Sequence, residues 1–207
     1  MVGLARQTAA VFDAFALEQS VRFRWDAFRN NRARTMITIL PFADPHWPFL
    51  WAMMQPVFRA GETYAYAPDI TEPEARRLWV EAPTATFVAV DEQKNVTGTY
   101  FIKPNQPGLG DHVCNCGYIV SESAKGRGVA SALCTHSQRQ AMDLGFLAMQ
   151  YNLVVSTNER AVRLWQRLGF DIIGTVPQAF RHARLGLVDA HIMYKRLMPQ
   201  TLDSEPQ

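Results

Sequence analysis

The chain has 207 residues, a net charge of +2, and is 48% hydrophobic and 19% charged. That length suits one large domain or one domain with an extension, and the composition excludes a disordered chain. The charge is too small to argue for nucleic acid, and no apolar run reaches the roughly 20 residues of a membrane helix.

Residues 1–34 read as a helical extension. Arg22, Arg24, Arg29, Arg32 and Arg34 crowd its end. Asp13, Glu18 and Asp26 are interspersed, which favours a solvated segment over a nucleic-acid or membrane arm. A domain is expected over 35–197, with a tail over 198–207. "TMITILPF" predicts a first strand from Thr35 to Pro41. A helix follows from near Asp44, carrying Trp47, Phe49 and Trp51, which read as core. "DITEPEARRLWVEA" predicts a second helix, capped by Thr71 with Pro73 in its first turn.

Ala85 to Val90 and Val96 to Lys103 predict a hairpin, and Val113 to Ser121 a further strand. Cys114 and Cys116 lie two apart on that strand, so both point to one face and read as buried packing. With Cys134 there are three cysteines, no second pair for zinc, and no signal peptide. A reducing, cytoplasmic compartment without a resident metal is therefore expected.

"SAKGRGVASAL" then leads into a helix from about Gly128 to Leu144, ended by Gly145. "LAMQYNLVV" reads as a strand. "STNERAVRLWQRL" reads as a helix opened by a capping box from Ser156 to Glu159 and ended by Gly169. "FDIIGTV" and "VDAHIMYKRL" read as two closing strands. The order predicts an α/β (α+β) domain, with a mostly antiparallel mixed sheet, at least one parallel pair and flanking helices.

The glycine-rich loop is the feature with chemistry in it. A helix N-terminus leaves about four N–H groups unpaired and carries roughly half a positive charge. Small residues let an anion reach those groups. Gly126, Gly128 and Ala130 keep the surface low, and Lys125 and Arg127 add charge. The Walker pattern is absent, and Ser131 stands where a dinucleotide fingerprint needs glycine.

Lys125-Gly126-Arg127-Gly128-Val129-Ala130 resembles the phosphate-loop motif of the GNAT family of acetyl-CoA-dependent N-acetyltransferases. "NERAVRLWQRLGF", Asn158 to Phe170, is similar to its second motif. The resemblance covers about residues 35–197 and implies the GNAT fold, with two central parallel strands splayed around acetyl-CoA. "GTYFIKPN", "NCGYIV", "YNLVVSTN", "IIGTVP" and "VDAHIMYK" look like the fungal branch that acetylates proline analogues such as azetidine-2-carboxylate.

This resemblance implies a set of roles. The cofactor's diphosphate would meet the loop from Lys125 to Ser131, that is Lys125, Gly126, Arg127, Gly128, Val129, Ala130 and Ser131. The pantetheine arm would pair with backbone near Ile119, Val120 and Ser121, with Asn158 and Trp165 beside it. Asn115, Asn152 and Asn158 would serve catalysis, the first two holding a carboxylate and an amine. Many family members place tyrosine, as an acid, where this chain has Trp165, whose indole N–H does not ionise usefully.

His112, His136, His182, His191, Asp111, Glu122 and Tyr118 are the residues from which a proton path could start. Tyr64 and Tyr66 are expected near the acceptor pocket. The acceptor is expected to be a small amino acid or cyclic secondary amine. Another amine (an antibiotic, a polyamine or a protein N-terminus) and a non-catalytic CoA-binding module are the alternatives. The resemblance also implies a homodimer.

Overall fold

A computed structural model describes residues 37–197. The helical extension expected over 1–34 and the tail over 198–207 lie outside the described residues. Seven strands form one sheet in the order β1-β2-β3-β4-β5-β7-β6. These are β1 (Thr38–Pro41), β2 (Ala85–Val90), β3 (Val96–Pro104), β4 (Val113–Val120), β5 (Ala148–Val155), β6 (Asp171–His182) and β7 (Gly186–Arg196). Every neighbouring pair is antiparallel except β4 and β5. Among the described residues no helix is long and apolar enough to cross a membrane.

Alternation along the strands sorts side chains onto two faces. Tyr100, Ile102, Cys114, Cys116 and Met149 lie in a core with α3 (Val129–Asp143) and α4 (Glu159–Arg167), whose buried members include Leu133, Cys134 and Trp165. Phe101 and Ile119 lie in a second core with α1 (Trp47–Ala60) and the helix that follows it. That helix is α2 (Glu72–Arg76), which runs on as a π-helical turn over Arg77–Glu81. The Thr71 side chain caps it, accepting from the Glu74 N–H at 3.4 Å. The three cysteines are free and buried, with Cys114 and Cys116 on one face as their spacing predicts.

Two details aim the start of α3 at the middle of the sheet. A Cβ on Gly98 would lie 3.0 Å from both Val129 Cγ1 and Leu133 Cδ1, so glycine lets the first turn press directly on β3. In addition, β4 and β5 pair only at Val113 with Ala148 and Cys114 with Met149. Beyond that point β4 stays with β3 and β5 stays with β7, so a slot opens between them.

Sequence reading misplaced two boundaries. Ser156 does not cap α4: its N–H bonds Asp189 O at 2.9 Å, which keeps it in the strand ladder. Asn158 is the cap, accepting from Ala161 N–H at 3.3 Å. Likewise β6 continues to His182, well past Val176. Phe49 is 62% exposed rather than core.

Where α3 packs against the sheet, His136 Nδ1 is hydrogen-bonded to the Tyr100 hydroxyl at 2.8 Å, with its ring edge-on to Phe87 and Tyr100. Burial, helped by the Arg139 cation, lowers the His136 pKa to about 4. The unfolded chain takes up that proton near 6.5, and the fold resists it until about 4. Stability should therefore fall as pH drops through this window. Chemical denaturation at stepped pH should show the fall in wild type and a flatter profile in His136→Gln.

Candidate active site

The slot widens into a cleft of about 790 Å³. One end of it is the turn before α3. Gly126 and Gly128 have φ of +81° and +84°, a conformation that side-chain-bearing residues rarely adopt. This turn leaves the N–H groups of Gly126, Gly128, Val129, Ala130 and Ser131 without a hydrogen-bond partner among the described residues. All five residues line the cleft, so the loop is an array of bare donors at a helix N-terminus. Lys125 also lines it and pairs with Glu122. Arg160, in the first turn of α4, brings its Nη2 to 3.6 Å from the position a Gly126 Cβ would occupy. Nothing in the sequence singled out Arg160.

The middle of the cleft is the free edge of β4. Ser121 N–H donates to Thr97 O, and Val113 O accepts from Asn105 N–H. Odd-numbered residues of β4 therefore bond β3, and even-numbered ones turn their amides to the slot. Of the three residues expected to meet a pantetheine arm, Val120 alone offers its N–H there. Those of Ile119 and Ser121 face β3, and Tyr118 N–H joins Val120 on the open edge.

Trp165 is buried, with its ring 5.0 Å from Tyr118 and 5.3 Å from Tyr151. It lines the cleft. The Tyr118 hydroxyl is shared with Ser137 Oγ at 2.7 Å and Tyr151 OH at 3.1 Å. Burial pushes both phenols well above their usual range, so neither supplies a base near neutral pH.

At the far end, Tyr64 and Tyr66 stack at 5.8 Å, with Phe58 edge-on to both. The Tyr64 hydroxyl donates to Tyr118 O at 2.8 Å, and burial raises its pKa too. Trp47 and Trp51 pack in the core and do not line the cleft. Phe101 forms part of the floor and lies over Gly117.

Asn115 and Asn152 both reach this end. Asn115 Nδ2 donates to Gln150 O at 2.8 Å, bridging the strands where their ladder stops. Asn152 Oδ1 accepts from Gln150 Nε2 at 2.9 Å, and its Nδ2 donates to Asn105 Oδ1 at 2.6 Å. Asn158 lines the middle of the cleft while capping α4. Among the proton-path residues named from sequence, only Tyr118 lines the cleft. Among the described residues the one carboxylate lining it is Glu62, held by Arg184 at 2.7 Å, which sequence reasoning missed. Among the described residues no group of three or more His, Cys, Asp or Glu gathers as a metal site.

Residues 47–170, more than half of the chain, match the sequence model of the acetyltransferase (GNAT) family. The chain is 36% identical to N-acetyltransferase aca1 of Schizosaccharomyces pombe over 124 residues, which is 59% of this chain and 59% of that one. A GCN5-related N-acetyltransferase from Kribbella flavida superposes with a TM-score of 0.74 at 43% identity, over 77% of this chain and 97% of that one. A phosphinothricin acetyltransferase from Sinorhizobium meliloti, solved in complex with AcCoA, shares the fold at a TM-score of 0.71 and 16% identity, over 83% of this chain and 93% of that one. The chain belongs to the acetyltransferase (GNAT) family.

Proposed function

We propose that the chain is an acetyl-CoA-dependent N-acetyltransferase acting on a small amino acid or cyclic secondary amine, with residues 35–197 as its catalytic domain. The carrying observation is the parting of β4 and β5 after Cys114 and Met149. It leaves backbone donors on one side of a cleft whose other end is the bare-amide loop. A long ligand with a diphosphate and an amide-bearing arm fits that donor set.

When bound, acetyl-CoA supplies an acyl group on a thiol, and a thiol of pKa about 8.5 departs with little help from an acid. The residues of this chain then have three tasks. Gly126, Gly128, Val129 and Ala130 hold the diphosphate by main-chain N–H groups, with Lys125, Arg127 and Arg160 adding positive charge and the Ser131 amide completing the turn. Tyr118 and Val120 offer edge amides to the arm and to the carbonyl oxygen. Asn115 and Asn152 orient the acceptor, and Glu62 takes its proton through water. Asn158 and Trp165 shape the middle of the cleft. Positioning alone supplies several kcal/mol, up to roughly 7–11 in ideal cases.

The similarity to a fungal N-acetyltransferase supports the activity, and the amide-lined far end supports a small polar acceptor. Three buried free thiols fit a cytoplasmic setting. Exposed Ile173, Val176 and Leu187 on the edge hairpin suit a homodimer contact. Mass spectrometry of products from acetyl-CoA and a panel of amines tests the reading. Acetylated amino acids or cyclic amines are the expected products. Acetylation of polyamines or peptides alone would overturn the acceptor class, and binding of acetyl-CoA without turnover would leave a CoA-binding module.

A further inference from the structure

The β6–β7 hairpin runs further than the sheet beside it. The ladder of β7 with β5 goes from Arg196 to Ala190, with one last bond from Ser156 N–H to Asp189 O. Its ladder with β6 continues to Gly186, opposite His182. The end of the hairpin therefore overhangs β5. The register shift between Val176 and Phe180 bends it. Gln178 sits there at φ +51°, its N–H donating to the Asp189 carboxylate at 2.9 Å. Bulges of this kind re-aim a strand. Phe180 and His182 are both buried, so the overhanging end packs against the domain.

What it meets is the turn after α1. Ala183 N–H donates to Gly61 O at 3.0 Å. Gly61 is buried at φ +60°, and a Cβ there would lie 3.3 Å from Ala183 Cβ, so glycine serves both the turn and the close approach. One residue further along each chain, Arg184 Nη2 meets Glu62 Oε1 at 2.7 Å. Arg184 N–H donates to His182 Nδ1 at 3.1 Å, which fixes the tip from which the guanidinium projects. Of these residues only Glu62 lines the cleft, and the hairpin tip holds it from outside. A glutamate has three side-chain torsions, so on a turn its carboxylate can point several ways. The ion pair through Oε1 selects one of them.

We propose that Arg184, carried in by the end of the hairpin, is a positioning residue for Glu62. It holds the carboxylate where a water can relay a proton from the acceptor. This rests on the acetyltransferase reading and deepens it. The acceptor's ammonium gives its proton to a water, that water gives one to Glu62, and the freed amine attacks the thioester. The Arg184 guanidinium keeps its own protons throughout.

The test is a double-mutant cycle on the full-length chain, with thermal melts of each variant. Thiol release from saturating acetyl-CoA is followed with azetidine-2-carboxylate, proline, alanine and spermidine, and the fastest acceptor is used. Glu62→Gln should lower kcat by roughly 100-fold or more, the worth of a positioned base. Arg184→Ala should lower kcat by roughly 5–100-fold, between the worth of a partly exposed ion pair and that of a misplaced reacting group. Acetyl-CoA affinity should stay as it was, and Arg184→Lys should recover most of the loss. In the Glu62→Gln background, Arg184→Ala should change kcat by no more than about 2-fold. An equal loss in both backgrounds would mean that the hairpin tip only supports the fold, and would overturn the proposal. Full kcat in Arg184→Ala or in Glu62→Gln would overturn it as well. Absence of thiol release with every amine overturns the acetyltransferase reading itself.

Discussion

Gly128→Val will weaken acetyl-CoA binding by roughly 10–150-fold, the loss of a charge-assisted hydrogen bond worth about 1.5–3 kcal/mol. Gly128 has φ +84° and caps α3 by its backbone alone. Nothing lies within 4 Å of the Cβ that valine would add, so the effect is not a clash. It is conformational: a β-branched residue at positive φ costs on the order of 1–3 kcal/mol, and the turn relaxes by rotating its amides out of the array. Gly145 makes a close control, with φ +85° and no atom within 4 Å, at the opposite end of the same helix. Gly145→Val should lower thermal stability by a similar amount, yet leave acetyl-CoA affinity as it was. Isothermal titration of both variants, beside their unfolding temperatures, separates strain from ligand contact. Equal affinities for wild type and Gly128→Val would refute the role given to the loop.

Gly117→Ala should damage the acceptor end while sparing the loop. The added Cβ would sit 2.5 Å from Phe101 Cε1 and 3.0 Å from Cζ, closer than real contacts allow. Phe101 cannot retreat inward, because its ring meets fully buried Trp79 edge-on at 4.9 Å. Overpacking costs about 1–3 kcal/mol, a drop of several degrees in Tm for a chain of this size. The relief available is rotation of the ring into the cleft. KM for the acceptor should then rise several-fold, with KM for acetyl-CoA little changed. Phe101→Leu on top of Gly117→Ala should restore stability relative to Gly117→Ala alone, which steady-state kinetics and thermal melts of the two variants would check.

Much of the architecture was legible because local rules and tertiary context agree. Ala85 to Val90 with Val96 onward reads as a hairpin and forms one, and Gly145 and Gly169 end their helices at positive φ. Where the reading failed, a longer-range contact decided. Pro177 and Gln178 look like the end of a strand, yet β6 passes through them. β6 is an edge strand, where proline is tolerated, and the Asp189 carboxylate accepts from the Gln178 N–H at the bulge. Ser156 and Asn158 are both good caps by type, and pairing with β7 chose between them.

The candidate site divides in the same way. Its backbone half could be read from Gly126 and Gly128, because glycine spacing before an apolar helix carries its own physical meaning. Asn115 and Asn152 stood out as amides in apolar strands. Their neighbours did not. Asn105 and Gln150 look like ordinary polar residues on and beside strands, and only the sheet order brings them together. Glu62 and Arg160 reach the cleft from a turn and a helix start, and no sequence spacing announces either.

The central claim is that main-chain N–H groups of one turn and one strand edge hold a thioester carrier along a single line. Amide NMR of the isotope-labelled chain, titrated with acetyl-CoA, examines those atoms directly. The account predicts that the N–H signals of Gly126, Gly128, Val129 and Ala130 move together with those of Tyr118 and Val120, with Ile119 and Ser121 moving far less. Shifts confined to other surfaces, or no shifts at saturating ligand, would contradict it.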